Sequence, residues 1–532
     1  MSRLPDPWQA GLAAGWQVQD GAALQRDVML ECDVAIVGSG AGGGMAAELL
    51  AQAGLRVLLL EEGALHSSQD FRLNEAEAYP QLYQESANRQ TADKAITILQ
   101  GRSVGGSTTV NWTSSFRTPA ETLAWWRQRH GLGELEDAAL APWFQRAEER
   151  LGIAPWQTEP NANNSVLERG CQALGLRHAR MRRNVRGCWN LGYCGTGCAT
   201  NAKQSMLVTT IPAALAAGAR LFSRVRVRHL LLEGDKVAGV LADALQADGV
   251  HASGVTLTVR ARQVVLSAGA IGTPAVLLRS HAPDPYHQLG RRTFLHPVLL
   301  SGAIFAERIE GYYGAPQSVY SDHFLHTGAI DGPLGYKLEV PPIHPLIMAA
   351  TLPGLGVAHQ RLMQQMPHLN VVLALLRDGF HPRSQGGTVR LRTDGSPQLD
   401  YPLGEVEWEA ARRALLTMAE VQFAAGARAV LPVHEDAGLA RSWRQARQMI
   451  AELPMQALRT RVVSAHVMGG AAMAASERDG VVDQLGRHWQ LANLTIIDGS
   501  LFPSSVGANP QLSVYAFALR AADALHRRMQ AA

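Results

Sequence analysis

Polar Asp33 leads into the apolar residues 34–37, and a run of glycines follows directly. A short apolar run bounded by turn residues reads as a strand buried on both faces. Gly38, Gly40 and Gly43 then stand at G-x-G-x-x-G spacing. Residues 45–52 are rich in Ala and Leu and predict a helix. Residues 56–60 predict a second buried strand, which ends at Glu61. Strand, glycine turn, helix, strand and acid is the order of a dinucleotide-binding unit. The first glycine allows the tight turn, the second lets a pyrophosphate approach the backbone, and the third lets helix and strand pack closely. The helix N-terminus offers free N–H groups and positive dipole to phosphate. Glu61 is placed to bond a ribose hydroxyl. A glycine turn without a ligand becomes improbable once the whole unit is present. The motif alone does not separate FAD from NAD.

The same patterning maps the rest of the chain. Residues 100–111 form a second Gly-rich loop with small hydroxyl residues, either a ligand cradle or a plain loop. Residues 211–217 predict a short helix, 220–232 a strand, and 237–243 its hairpin partner. Residues 264–266 predict a short buried strand, and small residues follow it up to Pro274. That proline is expected in the first turn of a helix over 275–279. Residues 389–392 and 398–401 predict a hairpin around Asp394-Gly395, and 407–424 an amphipathic helix. Residues 494–498 predict a strand ending in an acid, and 511–529 a long helix. The expected fold class is α/β: a Rossmann-like domain with an inserted α+β substrate domain, antiparallel sheet plus helices. The expected boundaries are 1–299 and 456–532 for the nucleotide domain, with 300–455 mainly substrate-binding.

Composition changes this picture little. The chain has 532 residues, 47% hydrophobic and 18% charged, with a net charge of +3. That suits an ordinary globular chain of two or more domains and asks for no nucleic acid. No secretory signal and no membrane-spanning run is visible, so a cytoplasmic location is expected; peripheral membrane contact stays compatible with this. Of five cysteines, Cys188, Cys194 and Cys198 cluster in a Gly-rich loop. Three thiolates suit an iron–sulfur cluster or a metal, but the usual four-ligand spacing is incomplete, so free thiols are favoured. Iron content and a visible spectrum separate these readings.

The ordered motifs resemble the glucose-methanol-choline (GMC) family of FAD-dependent oxidoreductases. The N-terminal unit fits, 101–111 resembles the first family signature, and 269–274 resembles the second. Residues 464–470 and 498–503 resemble its C-terminal elements. The resemblance implies extended, noncovalent FAD. Glu61 would hold the adenosine ribose, and Val227 would lie beside the adenine. Gly105, Gly106 and Asn111 would contact pyrophosphate and flavin, and Asp498 the ribityl or phosphate region. Some members attach FAD through a His just before that Asn; Val110 stands there here.

The family's reactive pair would be His466 and Asn509, with Pro510 opening the last helix. His466 would take the hydroxyl proton while hydride passes to flavin N5. From the residues alone, His466 also reads as an ordinary structural histidine, and Asn509-Pro510 as a helix cap. The middle lobe, notably 311–322 and 341–376, looks most like the long-chain alcohol oxidases and dehydrogenases. It implies a small-molecule alcohol with an apolar body, and oxygen, a quinone or a cytochrome as electron acceptor. The competing class is a flavoprotein lyase or isomerase that uses the same base without an external acceptor. A catalytically silent FAD protein is disfavoured by the intact His466–Asn509 pair.

Overall fold

The computed structural model describes residues 6–531. Its first half is organised by a mixed eight-stranded sheet. The strands Gln17–Asp20, Arg220–Ser223, Val57–Leu60, Val28–Val37 and Ala252–Leu266 lie side by side and parallel. Leu494–Ile496 adds a parallel partner at the C-terminal end of Ala252–Leu266. The N-terminal half of that long strand pairs antiparallel with Lys236–Leu245, and Val225–Glu233 closes the edge. Val34–Val37 and Val57–Leu60 are buried on both faces, which explains their unbroken apolar runs. The helices Ala41–Gln52 and Gln511–Ala531 pack together over this sheet.

Two elements differ from the sequence reading. The strand expected over 220–232 is two strands, broken at Arg224 with φ +50°. One joins the parallel core and the other the antiparallel hairpin. The helix expected over 275–279 begins at Gly269 and runs to Arg279, so Pro274 is inside it. Its start is fixed from a distance: Asp498 accepts hydrogen bonds from Gly269 N (2.9 Å) and Thr273 Oγ1 (2.6 Å). That carboxylate does the work of a cap, so the small residues 269–273 can be helical.

The second half is organised by a nine-stranded, largely antiparallel sheet. Val298–Ile304 lies at its centre, between Leu369–Leu376 on one side and Val462–Ser464 and Ala429–Pro432 on the other. Tyr336–Glu339 pairs with Leu369–Leu376, and Val319–Ser321 follows. Strands at Arg89–Gln90, Ile96–Ile98 and Ala179–Arg180 come from earlier in the chain. The helix Glu405–Ala424 covers one face, touching Leu299, Ala303, Val372 and Ala374. The alternate residues Val298, Leu300, Leu373 and Leu375 point the other way, into a separate apolar cluster. That second face is the floor of the site.

Candidate active site

The C-terminal ends of the parallel strands deliver Gly38, Glu61, Ser267 and Asp498 to one edge, where α/β sheets bind ligands. A cavity of about 1480 Å³ runs from there to the floor of the second sheet. Gly38, Gly40, Glu61, Gly106, Asn111, Val227, His466, Asp498, Asn509 and Pro510 all line it. Gly43 and Gly105 stand just behind the wall. A Cβ on Gly43 would lie 2.0 Å from Gly38 O, so this glycine serves close packing of helix on turn. Gly106 has φ +54°, and a Cβ there would meet Gly40 Cα at 2.7 Å, so the two glycine loops are packed back to back.

At the nucleotide end Glu61 is buried, and burial raises its carboxyl. It accepts hydrogen bonds from Ser39 N (3.0 Å), Ser39 Oγ (2.6 Å) and Gly63 N (2.8 Å). Ser39 Oγ in turn accepts from Gly105 N (3.0 Å). Ser39, not singled out from the sequence, therefore couples the first turn to the second glycine loop. No side chain caps the helix Ala41–Gln52, so its first N–H groups are left for a ligand. This cradle fits the pyrophosphate of FAD. Asn111 donates from Nδ2 to Gln511 Oε1 (2.7 Å), which ties the second glycine loop to the last helix.

At the other end, His466 is paired with a residue the sequence did not mark. His466 Nδ1 lies 3.3 Å from His296 Nδ1. Gly507 N–H donates to His296 Nε2 (3.1 Å), which leaves the proton of neutral His296 on Nδ1, aimed at His466. His466 then keeps its own proton on Nε2. Burial, and next the positive charge of Lys337, hold the His466 imidazole down to about 3. It is neutral at ordinary pH. Asn509 does not spend its side chain on capping. Its Oδ1 accepts from Lys337 Nζ (2.6 Å), and its Nδ2 donates to Glu339 Oε2 (3.3 Å). A lone His just before Pro297 and the strand Val298–Ile304, and two charges in the otherwise apolar stretch around Leu338, were the available signals.

Between these ends the wall is apolar: Val298, Leu300, Leu373, Leu375 and Val463 from the sheet, Ile347 and Met348 from the helix Pro345–Thr351. That helix is held by Glu75, whose carboxylate accepts from Leu346 N (2.7 Å) and Ile347 N (3.0 Å).

Cys188, Cys194 and Cys198 are free thiols. Among the described residues no group of three or more His, Cys, Asp or Glu is arranged to hold a metal ion. The loop is anchored by buried Lys203, which donates to the carbonyls of Thr109 (2.7 Å), Asn111 (2.8 Å) and Cys194 (2.7 Å). It is thus fastened to the second glycine loop. Burial raises the Cys198 thiol, but the Thr200 hydroxyl and the N–H and charge of Lys203 outweigh it and leave it below its ordinary value.

Sequence models described as GMC oxidoreductase match residues 79–298 and 382–518, and one described as FAD binding domain matches 31–72. The chain belongs to the GMC oxidoreductase family. An uncharacterized GMC-type oxidoreductase of Mycobacterium tuberculosis is 33% identical over 495 residues, 92% of this chain and 75% of that protein. A long-chain-alcohol oxidase of Arabidopsis thaliana is 27% identical over 538 residues, 96% of this chain and 71% of its own. The fold matches pyridoxine 4-oxidase from Mesorbium loti, with a TM-score of 0.68 at 21% identity, over 94% of this chain and 99% of that one. It also matches formate oxidase of Aspergillus oryzae, with a TM-score of 0.67 at 16% identity, over 95% and 100%. This GMC enzyme is an FAD-dependent oxidoreductase. Among its described residues no helix is long and apolar enough to cross a membrane.

Val110 is buried and lines the cavity where a covalent link through His would form. Acid precipitation of the holoenzyme should release its yellow colour to the supernatant. Flavin that stays with the pellet would contradict noncovalent binding.

Proposed function

We propose that this GMC oxidoreductase oxidises a primary alcohol with an aliphatic or aromatic body to the aldehyde. The observation that carries this is one cavity that joins a dinucleotide cradle, a polar end at His466 and Asn509, and an apolar sheet face. The tail of the alcohol would lie on Val298, Leu300, Leu373 and Leu375, where buried CH₂ groups gain about 0.8 kcal/mol each. The name of the Arabidopsis relatives, long-chain-alcohol oxidase, supports the same substrate class, with oxygen as the acceptor. Quinone and cytochrome acceptors are alternatives for an acceptor assay. The family assignment does not favour a lyase or isomerase.

FAD, when bound, supplies the acceptor for the hydrogen that leaves the carbinol carbon. The protein handles the hydroxyl. Asn509 offers its second Nδ2–H to the substrate oxygen, and His466 takes the hydroxyl proton. The lone pair of neutral His466 is on Nδ1, which accepts from His296. The hydroxyl must therefore displace His296 as the donor to that nitrogen. Burial and Lys337 make His466 a reluctant holder of a proton, so it keeps one only while negative charge develops nearby.

Three outcomes check this reading. Specificity constants should rank octanol and benzyl alcohol above glucose and choline, and a clear lead for either polar substrate would overturn the apolar assignment. His466→Ala should retain FAD and slow anaerobic flavin reduction by at least ~10²-fold; reduction at the wild-type rate would exclude His466 as the base. Because its imidazole is held near about 3, His466 stays neutral as pH falls well below the usual histidine value. The limiting rate of flavin reduction should accordingly show no histidine-like loss between about pH 8 and about pH 5. A fall centred near the ordinary value of about 6.5 would refute that environment.

A further inference from the structure

Lys337 and Glu339 are only 2% and 0% exposed, deep in a protein whose other ion pairs are mostly at the surface. They alternate with Leu338 along one strand, so both side chains leave it on the same side. By register they sit opposite Leu375 and Leu373, two residues of the cavity wall. Lys337 Nζ lies 2.7 Å from Glu339 Oε1, 2.6 Å from Asn509 Oδ1 and 3.2 Å from the centre of the Phe116 ring. Glu339 Oε2 faces Asn509 Nδ2 at 3.3 Å. Neither charged residue lines the cavity, whereas Asn509 does.

A buried ion pair is seldom retained for stability, because desolvation of both charges offsets their attraction. This pair has a different use available. An ammonium group has only hydrogens to give, and an ionised carboxylate can only accept. Held between them, the Asn509 amide has one permitted orientation: oxygen to Lys337, nitrogen to Glu339. We propose that Lys337 and Glu339 are positioning residues that lock Asn509 as a hydrogen-bond donor toward the substrate oxygen. With its oxygen turned to Lys337, Asn509 presents N–H to the substrate oxygen, and the hydroxyl proton is left to His466. The lock thereby sets the division of labour in the pair, and it rests on the alcohol-oxidising reading above.

The test replaces both charges together, as Lys337→Met/Glu339→Gln, which keeps net charge and shortens only the Lys337 side chain, by one atom. The holoenzyme should retain FAD and a near-wild-type thermal midpoint. Its limiting rate of flavin reduction by octanol should fall by about tenfold or more, as for loss of an oriented donor. Affinity for octan-2-one, a carbonyl with no proton to give, should weaken by about the same factor. Wild-type values for both would overturn the proposal.

A second variant reads the same contact without turnover. Asn509→Asp sets a carboxylate against Glu339, with Lys337 as the adjoining cation, Asp322 also within its field, and neutral His466 and His296 nearby. Burial and repulsion from Glu339 raise the introduced Asp carboxyl above its unfolded value. Stability is then present at low pH and lost as pH rises through the folded value. The thermal midpoint of Asn509→Asp, relative to wild type, should fall from about pH 5 to about pH 8. A constant difference would show that Glu339 does not face the Asn509 nitrogen. If octanol fails to reduce the wild-type flavin, the functional reading falls, and this pH signature still decides the geometry.

Discussion

The carboxylate of Asp498 holds the two ends of the nucleotide domain together. Burial raises it, and the donors around it counter that: Ser500 through N–H and hydroxyl, Gly269 through N–H and Thr273 through its hydroxyl. The last parallel strand, the turn after the central strand and the start of the helix Gly269–Arg279 are thereby one rigid piece. Ser267 adds a bond from its hydroxyl to Ile497 O (2.7 Å). The cradle edge, the wall beneath it and the loop leading to Pro510 take their positions from this point. An unpaired carboxylate there would be costly, which is why all its partners come from within the fold.

How much of this was legible in the sequence depended on how local each interaction is. The first βαβ unit was readable because its strands are buried on both faces and its glycine spacing is contiguous in sequence, even though Gly38 and Gly40 themselves face Ser267 and Gly106. Gly43, by contrast, is required by Gly38 O. The hairpin Thr388–Leu391 with Pro397–Asp400 was readable for the same reason. Gly269–Arg279 was misplaced because its cap, Asp498, comes from far along the chain. The Asn509-Pro510 pair looked like a cap because Asn usually is one. Lys337 and Glu339 claim that side chain from a strand more than a hundred and fifty residues earlier.

The middle region resisted reading for another reason. Residues 371–376 are apolar without a break, which on sequence grounds fits a buried strand or part of a buried helix equally. In the fold one set of alternate residues packs on the helix Glu405–Ala424 and the other set faces the cavity. Both sets are apolar, so the period of two vanishes. His296 escaped notice similarly: a single histidine ahead of a buried strand carries no pattern, and only the approach of His466 gives it a role.

The helix Pro345–Thr351 is hung from Glu75 by its first N–H groups and presses Ile347 and Met348 on the apolar side of the cavity. It contributes nothing to the imidazole pair, the amide or the glycine loops. Changes in this helix would reshape that side of the cavity while His466, His296 and Asn509 keep their hydrogen-bond partners.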